Sequence, residues 1–354
     1  MSSCVTAAHY FLGSATPNGF VGTTTALYQS DWQVYILKSG AGTGKSTLLR
    51  RLYDQKSAES NTAEVFCCSA DPASLDAVRF PDRRLLVIDG TAPHSIEPTY
   101  WHAVEHLVPL CACMRQPLPT TEVVTLTDQK HALQQRSAEY LRAAASLLAE
   151  NRRLQAETLD DTKITRLARR LAVSEWRHNK GTPRACETRF LSAFTPQGLQ
   201  TRYDTLQALC PRIYAIQDEH GEAATRLLSV LQQLAEQDGI PCLSCPSPLF
   251  PDDGPLHLLF PEIGLAFTTS NTFHPVDFPI FRRIHASRFA KSDDLQAHRA
   301  ALSFRRRAAA ELLQEAASFA SQAKAAHDAL ESVNAAAMDW KRYERLTTEL
   351  LETL

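Results

Sequence analysis

The chain carries one pattern twice, and this duplication restricts its fold more than any other feature. VYILKSGAGTGKSTLLRRL (Val34 to Leu52) and IYAIQDEHGEAATRLLSVL (Ile213 to Leu231) run in parallel without a gap. Tyr214 falls on Tyr35, Gly221 on Gly42, Thr225 on Ser46 and Leu228 on Leu49, at a constant shift (214 − 35 = 179 and 228 − 49 = 179). FLGSATPNGF (Phe11–Phe20) aligns with FLSAFTPQGL (Phe190–Leu199) at the same shift. FPDRRLLVIDGTAPH (Phe80–His94) aligns with FPEIGLAFTTSNTFH (Phe260–His274) at a shift of 180 (260 − 80). YLRAAASLL (Tyr140–Leu148) resembles RRAAAELL (Arg306–Leu313) at 165 (308 − 143), so the second copy is shorter between its last strand and this helix. Self-similarity in constant order marks a duplicated structural unit. Residues 1–178 read as one copy and 179–354 as the other.

Within a copy, a strand near Tyr10–Gly13 leads to a turn at Thr16-Pro17-Asn18-Gly19, residues that favour turns. A strand at Gln33–Leu37 precedes a glycine-rich loop and a helix. Further short apolar strands follow at Ala63–Cys68 and Leu85–Ile88, the latter ending at Asp89. Strands alternating with helices predict a parallel sheet covered on both faces. After that the chain becomes helical and rich in alanine. Leu312, Ala316, Phe319, Ala323, Ala326, Leu330 and Val333 recur in steps of four and three, the spacing of a coiled-coil stripe. Tyr140, Ala144, Leu147 and Leu154 give a poorer version in the first copy, and Asp161 and Asp339 stand where helix caps are expected. The expected fold class is therefore α/β, with two tandem parallel-sheet units, each followed by a long α-helical hairpin; the loop described next makes the expected units P-loop NTPase-like. The hairpins pack on each other or on the sheets, holding the two halves together within the chain; a protein partner or a dimer contact is the alternative.

The strongest local signal is SGAGTGKST, with Ser39, Gly40, Ala41, Gly42, Thr43, Gly44, Lys45, Ser46 and Thr47 as a phosphate-binding run. Its glycines let backbone N–H groups turn inward around an anion. Lys45 reaches the β and γ phosphates, the Ser46 hydroxyl ligates Mg²⁺, and the helix that follows points its positive end at the anion. The usual pattern opens with Gly, where this chain has Ser39. Asp89, at the end of an apolar strand, is the expected second Mg²⁺-side residue. Gly90 follows it, not the Glu that many hydrolases use to activate water, so a base must come from elsewhere. His94, Asp71, Asp76 and Glu97 are the candidates at that sheet edge; capping and turn roles compete for each.

The second copy keeps the shape and loses the chemistry. Gly40 becomes Glu219, Thr43 becomes Glu222, Gly44 becomes Ala223, Lys45 becomes Ala224 and Asp89 becomes Thr269; His94 keeps a counterpart in His274. Two acids are expected to face the space a triphosphate would fill, and they repel it. Arg282 and Arg283 are candidates to lend a cation to the first loop.

These motifs resemble the bacterial tandem P-loop ATPases. Members have two halves, each with a GGPGTGKS-type loop, a C-S/A-x-D-x-x-S-L-D segment and a D-G/S-T-A-P-H segment. The matching residues are Ser39–Ser46, then Cys68-Ser69-Ala70-Asp71 with Ser74-Leu75-Asp76, and Asp89-Gly90-Thr91-Ala92-Pro93-His94. The resemblance covers most of the chain, is specific in the first half and is degraded in the second. It implies ATP as ligand, draws attention to Asp71, Asp76 and His94 and supplies no physiological role.

Composition narrows the function classes. Net charge is −2 over 354 residues, so no whole-chain field points to nucleic acid or an acidic membrane. MSSCVTAAHYFLG lacks a basic segment followed by an apolar run, and no stretch approaches the ~20 apolar residues of a membrane span. Cytoplasmic location is the expectation. Nine cysteines, an odd count, predict free thiols. Cys242-x-x-Cys245 with Cys111-x-Cys113 is a poor zinc pattern, and buried structural thiols are the favoured reading. Three functions remain: a slow Mg²⁺-dependent ATPase acting as a nucleotide switch, a nucleotide or small-molecule kinase, and a nucleic-acid ATPase. The last rests on Arg305, Arg306 and Arg307 and on Arg166, Arg169 and Arg170, runs diluted by Glu311 and Glu315. No N-K-x-D run marks guanine, and no motif separates ATP from GTP.

Overall fold

The computed structural model describes residues 8–60, 62–115, 118–176, 179–291 and 294–354. The expected copy boundary at 178, Cys4 and the first seven residues of the N-terminal segment lie outside them. The first half runs β1 (Ala8–Phe11), β2 (Gly13–Thr16), β3 (Gly19–Gly22), β4 (Gln33–Leu37), α1 (Lys45–Lys56), β5 (Glu64–Cys67), β6 (Leu75–Phe80), β7 (Leu85–Asp89), β8 (Glu105–Val108), α2 (Thr120–Thr158) and α3 (Asp161–Trp176). The second runs β9 (Glu187–Thr188), β10 (Ser192–Thr195), β11 (Gly198–Thr201), α4 (Tyr203–Leu209), β12 (Arg212–Gln217), α5 (Glu222–Asp238), β13 (Leu243–Pro246), β14 (Pro255–Phe260), β15 (Leu265–Ser270), β16 (Arg282–His285), α6 (Arg299–Ala336) and α7 (Trp340–Thr353).

Two six-stranded sheets result, ordered β1-β5-β6-β7-β4-β8 and β9-β13-β14-β15-β12-β16. Position for position the order is the same. Each sheet is mixed rather than wholly parallel, because β6 and β14 run antiparallel to both neighbours. The reason is local. Only Pro81 to Arg84 separate β6 from β7, with Arg84 at φ 50°. A parallel connection needs about a dozen residues or more, so these strands can only fold back on each other. Every residue of β6 and of β7 is buried, as central strands covered on both faces require.

The chain divides into two compact units that do not follow its two halves. One comprises Met1–Gly13, Gly22–Ser137 and Ala317–Leu354; the other comprises Ser14–Val21 and Ala138–Ala316. Each unit takes its sheet from one half of the repeat and its last helical segment from the other. The long helices cause this exchange, since α2 and α6 contain no Gly or Pro that would end them early. The expected stripe on α6 is largely found, with Ala316, Ala323, Ala326 and Leu330 buried. On α2 the buried set turns polar at Asn151, Arg152 and Gln155.

In the second unit α3 packs on α5, and Trp176 meets Phe260 with ring centroids 5.1 Å apart inside a core that includes Leu227, Leu231 and Phe267. Asp339 caps α7 by accepting the Arg342 N–H, as expected. The cap of α3 is Asp160, not Asp161: Asp160 Oδ1 accepts the N–H groups of Thr162 and Lys163, and Asp161 pairs with Arg226 at 2.9 Å. Cys186 and Cys242 form a disulfide, which corrects the expectation of free thiols throughout and removes Cys242 from any zinc set. Among the described residues no helix is long and apolar enough to cross a membrane.

Candidate functional site

In the first unit, β4 delivers the chain to a loop at Ser39–Gly44 that ends as α1 begins. Gly42 (φ 70°) and Gly44 (φ 88°) are both left-handed, a conformation that a side chain strains. Gly44 holds the helix off until Lys45, and no acid stands in the first turn of α1 to oppose its positive end. Lys45 Nζ donates to the carbonyls of Ser39 (2.7 Å) and Gly40 (2.6 Å) and lies 3.5 Å from Asp89 Oδ2. Thr43 Oγ1 donates to the Gly40 carbonyl, and Ser46 Oγ accepts the Leu75 N–H at 2.9 Å. Ser39 Oγ is buried with no hydrogen-bond partner among the described residues. Ala41 is half-buried, and Thr47 is exposed on the first turn of α1.

Asp89 ends β7, and its Oδ1 accepts both the N–H and the hydroxyl of Thr91. The next residue is Gly90 because a Cβ there would collide with Ile36. A Glu in that place would not fit. His94 comes back to the sheet end, where its Nε2 lies 3.6 Å from Asp76 Oδ2. Asp76, Asp89 and His94 are all buried, and their ligand atoms lie within 4.8 Å of one another. Burial, then the Asp89 charge, pushes the Asp76 carboxyl up to about 8. Burial lowers His94 below the usual imidazole range, against the opposing pull of Asp89.

The structure thus brings together Lys45, Asp89, His94 and Asp76, with Ser46 hydrogen-bonded to the residue before Asp76. Asp76 belongs to β6 and not to the turn or helix start that the sequence allows. Asp71 stands outside the cluster, accepting from Ser74 Oγ at 2.7 Å with Lys324 Nζ 3.7 Å away. Glu97 is exposed and pairs with Lys38 at 2.8 Å.

Three residues of α6 and α7 that sequence reasoning missed also meet this loop. Asn334 Nδ2 donates to the Ala41 carbonyl at 3.0 Å, and Tyr343 OH donates to the Gly44 carbonyl at 2.8 Å. Glu331 meets the loop through its main chain, which a Cβ on Gly42 would strike. The Glu331 carboxylate is held below the usual range chiefly by His327, 3.5 Å away, with a smaller contribution from the nearby Gly42 N–H. The available signal was small: a buried Asn334 beside an otherwise apolar stripe.

In the second unit the equivalent loop is filled by its own side chain. Ala223 replaces Gly44, so α5 begins at Glu222, two residues earlier in the repeat than α1 does. Asp218, at the position of Ser39, is buried. Its carboxylate accepts N–H groups from Ala224 (2.9 Å) and His220 (3.3 Å), and Gln155 Nε2 at 2.6 Å. The acids expected to face a phosphate turn elsewhere. Glu222 pairs with Arg152 and Arg226, and Glu219 with Arg306 at 3.3 Å. Arg282 and Arg283 lie exposed on β16, where Arg283 donates to Gln217. His274 is buried against Thr201 Oγ1, and burial pulls it down to about 4. Compared with family models, with curated proteins and with solved structures, the chain matches none.

Proposed function

We propose that the first unit is a P-loop NTPase-like unit that binds a nucleoside triphosphate, ATP by the family resemblance, and that the chain works as a slow nucleotide-controlled switch with a second half that binds none. The observation that carries this is the Ser39–Ser46 loop: two left-handed glycines, a helix N-terminus free of acids, and Lys45 beside Asp89. The unpartnered, buried Ser39 hydroxyl suits a polar ligand at the loop. Ser46 and Asp89 offer hard oxygen ligands, which fits Mg²⁺. Bound Mg²⁺ neutralises phosphate charge. Lys45 leaves the Ser39 and Gly40 carbonyls to meet the phosphates, and the loop N–H groups orient them.

The switch reading follows from Glu331. Its carboxylate lies near the Gly42 N–H, which a phosphate would claim. An arriving triphosphate repels that carboxylate, and the push is transmitted to α6 and α7, the expected helical hairpin. His94 is the candidate base for slow hydrolysis, since Gly90 leaves no place for a Glu. Arg305 and Arg306 are engaged with Glu150 and Glu219, which lends no support to a nucleic-acid grip.

Calorimetry and phosphate release on the wild type and Lys45→Ala test the proposal. Mg²⁺-dependent binding of one ATP with slow turnover, both lost in the variant, is expected. So is faster amide exchange across residues 317–354 when ATP is bound. No nucleotide binding overturns the reading. Binding with unchanged exchange there removes the switch.

A further inference from the structure

We propose that Asp76, Asp89 and His94 form a binding site for a divalent first-row transition-metal ion, held by the nucleotide-free protein. The site shares Asp89 with the nucleotide reading but does not rest on it. Two carboxylate oxygens and one imidazole nitrogen make a donor set that suits Mn²⁺ or Zn²⁺ better than Mg²⁺, which prefers oxygen alone. Ligand atoms bound at about 2.1 Å to one ion stand roughly 3–4 Å apart. The 3.6 Å between Asp76 Oδ2 and His94 Nε2 fits this, and the whole set lies within 4.8 Å.

Register places the two carboxylates deliberately close. Ala77 pairs with Ile88 across β6 and β7, and Asp76 and Asp89 stand one residue beyond that pair, where β6 bulges against β5. Like charges brought that close destabilise a sheet. Lys45 offsets one of them, at 3.5 Å from Asp89. The second carboxyl, Asp76, is buried beside it, and a bound divalent ion would take the place of its proton.

The other copy shows that the fold itself does not require these acids. At the shift of 180, Asp76 becomes Leu256 and Asp89 becomes Thr269, both buried in strands of the same order. Lys45 has gone as well, replaced by Ala224. Only the histidine persists, and His274 is bonded to Thr201 instead. The sheet end therefore forms without either carboxylate, and Asp76 is lost together with the residues assigned to chemistry. A ligand, not the fold, accounts for Asp76.

The test is a titration of the nucleotide-free chain with Mn²⁺, followed by loss of the free-ion electron paramagnetic resonance signal and by calorimetry. One Mn²⁺ per chain is expected, with a nitrogen coupling from the imidazole in the pulsed spectrum. Asp76→Asn, nearly isosteric, and His94→Gln should each weaken binding by more than about tenfold, and His94→Gln should remove the nitrogen coupling. Lys45→Ala, which disables the phosphate loop, should keep the ion. Three results overturn the proposal: no Mn²⁺ bound without nucleotide, equal binding in Asp76→Asn, or a bound ion with no nitrogen coupling. An ion that binds only together with ATP, indifferent to Asp76→Asn, overturns it while leaving the nucleotide reading intact.

Discussion

The two loops begin from one pattern and solve the same electrostatic problem in opposite ways. A strand–turn–helix junction points several N–H groups into one small space, and that space favours negative charge. In the second unit the chain supplies the charge itself: Asp218 fills the space and takes the N–H groups of His220 and Ala224. In the first unit position 39 is Ser, its hydroxyl has no partner among the described residues, and the acids beside the loop, Asp89 and Glu331, come from other elements. The second loop is closed by its own side chain, and the first is left without one. The same inversion appears at the capping helix. The helix starts are related by 179 (120 to 299 and 161 to 340), not by the 165 expected from the alanine-rich match, so Glu331 beside the glycine loop corresponds to Arg152, which pairs with Glu222 and Asp253.

The sharpest way to break this comparison is to place one methyl group in each loop. Gly42 and its equivalent Gly221 are both left-handed, at φ 70° and 88°. A Cβ on Gly42 would strike the main chain of Glu331, whereas on Gly221 the nearest atom is Arg152 Nη1 at 4.0 Å. Gly42→Ala should therefore destabilise the first unit by about 4 kcal/mol, backbone strain plus overpacking. Gly221→Ala should lose only about 1 kcal/mol. Chemical denaturation with amide exchange read separately over each unit measures both. Equal losses would mean that the first loop does not depend on its contact with α6.

The backbone of the first loop was legible in the sequence, because its parts have local reasons: glycines for left-handed turns, an apolar strand before and a helix after. The duplication was legible too, and the matching strand orders of the two sheets reflect it. Three features were not. Asp76 reads as a turn residue because LDAVRF is short and carries charges; only pairing with β5 and β7 makes it a strand. The exchange of helical segments cannot be read from local pattern, since a stripe on α6 records burial but not what covers it. Asp218 was passed over because it precedes the degenerate loop, where the expected repulsion was assigned to Glu219 and Glu222. Those two have arginine partners that lie far away in the sequence.

The next largest effect concerns the ligand. Lys45→Ala should lower ATP affinity by about 100-fold, the loss of charge-assisted hydrogen bonds to two phosphates. Asp218→Asn should leave ATP affinity and the stoichiometry of one unchanged. Its effect falls on stability instead, about 2 kcal/mol in the second unit, because an amide keeps one acceptor oxygen and turns an N–H₂ toward donors. If Asp218→Asn instead opened a second nucleotide site, that carboxylate would be the sole reason for the second loop's silence.

pH should separate the units by sign. The raised Asp76 carboxyl stays protonated in the fold up to about 8, while the unfolded chain ionises near 4. Between those values the folded state binds the extra proton, so the Asp76 contribution to the metal-free first unit falls as pH rises; above about 6.5 it acts without the opposing contribution of the lowered His94. In Asp76→Asn that fall should vanish. His274, lowered to about 4, works the other way: the unfolded imidazole takes a proton below about 6.5 and the folded one does not. Stability of the second unit should therefore fall as pH drops from 6.5 toward 4. Exchange rates over β6–β7 and β14–β15, followed across pH, read the two trends independently, and parallel trends would contradict the assigned burial.

The smallest effect tests whether the cap on the first loop is stabilising or regulatory. Tyr343 OH donates to the Gly44 carbonyl, and its ring would lie 2.7 Å from a Cβ placed on Gly44. Tyr343→Phe keeps the ring and removes one hydrogen bond, a loss of about 1 kcal/mol. Where that loss appears decides the matter. If α7 leaves the loop when nucleotide binds, the bond exists only in the free state. Its removal then destabilises the free protein and tightens ATP binding by about fivefold, the same free energy seen from the other side. If α7 stays in place, both states lose the bond equally and ATP affinity does not change. A variant with lower stability and higher affinity identifies the helices as the moving part of a switch. Lower stability alone identifies them as a lid that serves only the fold.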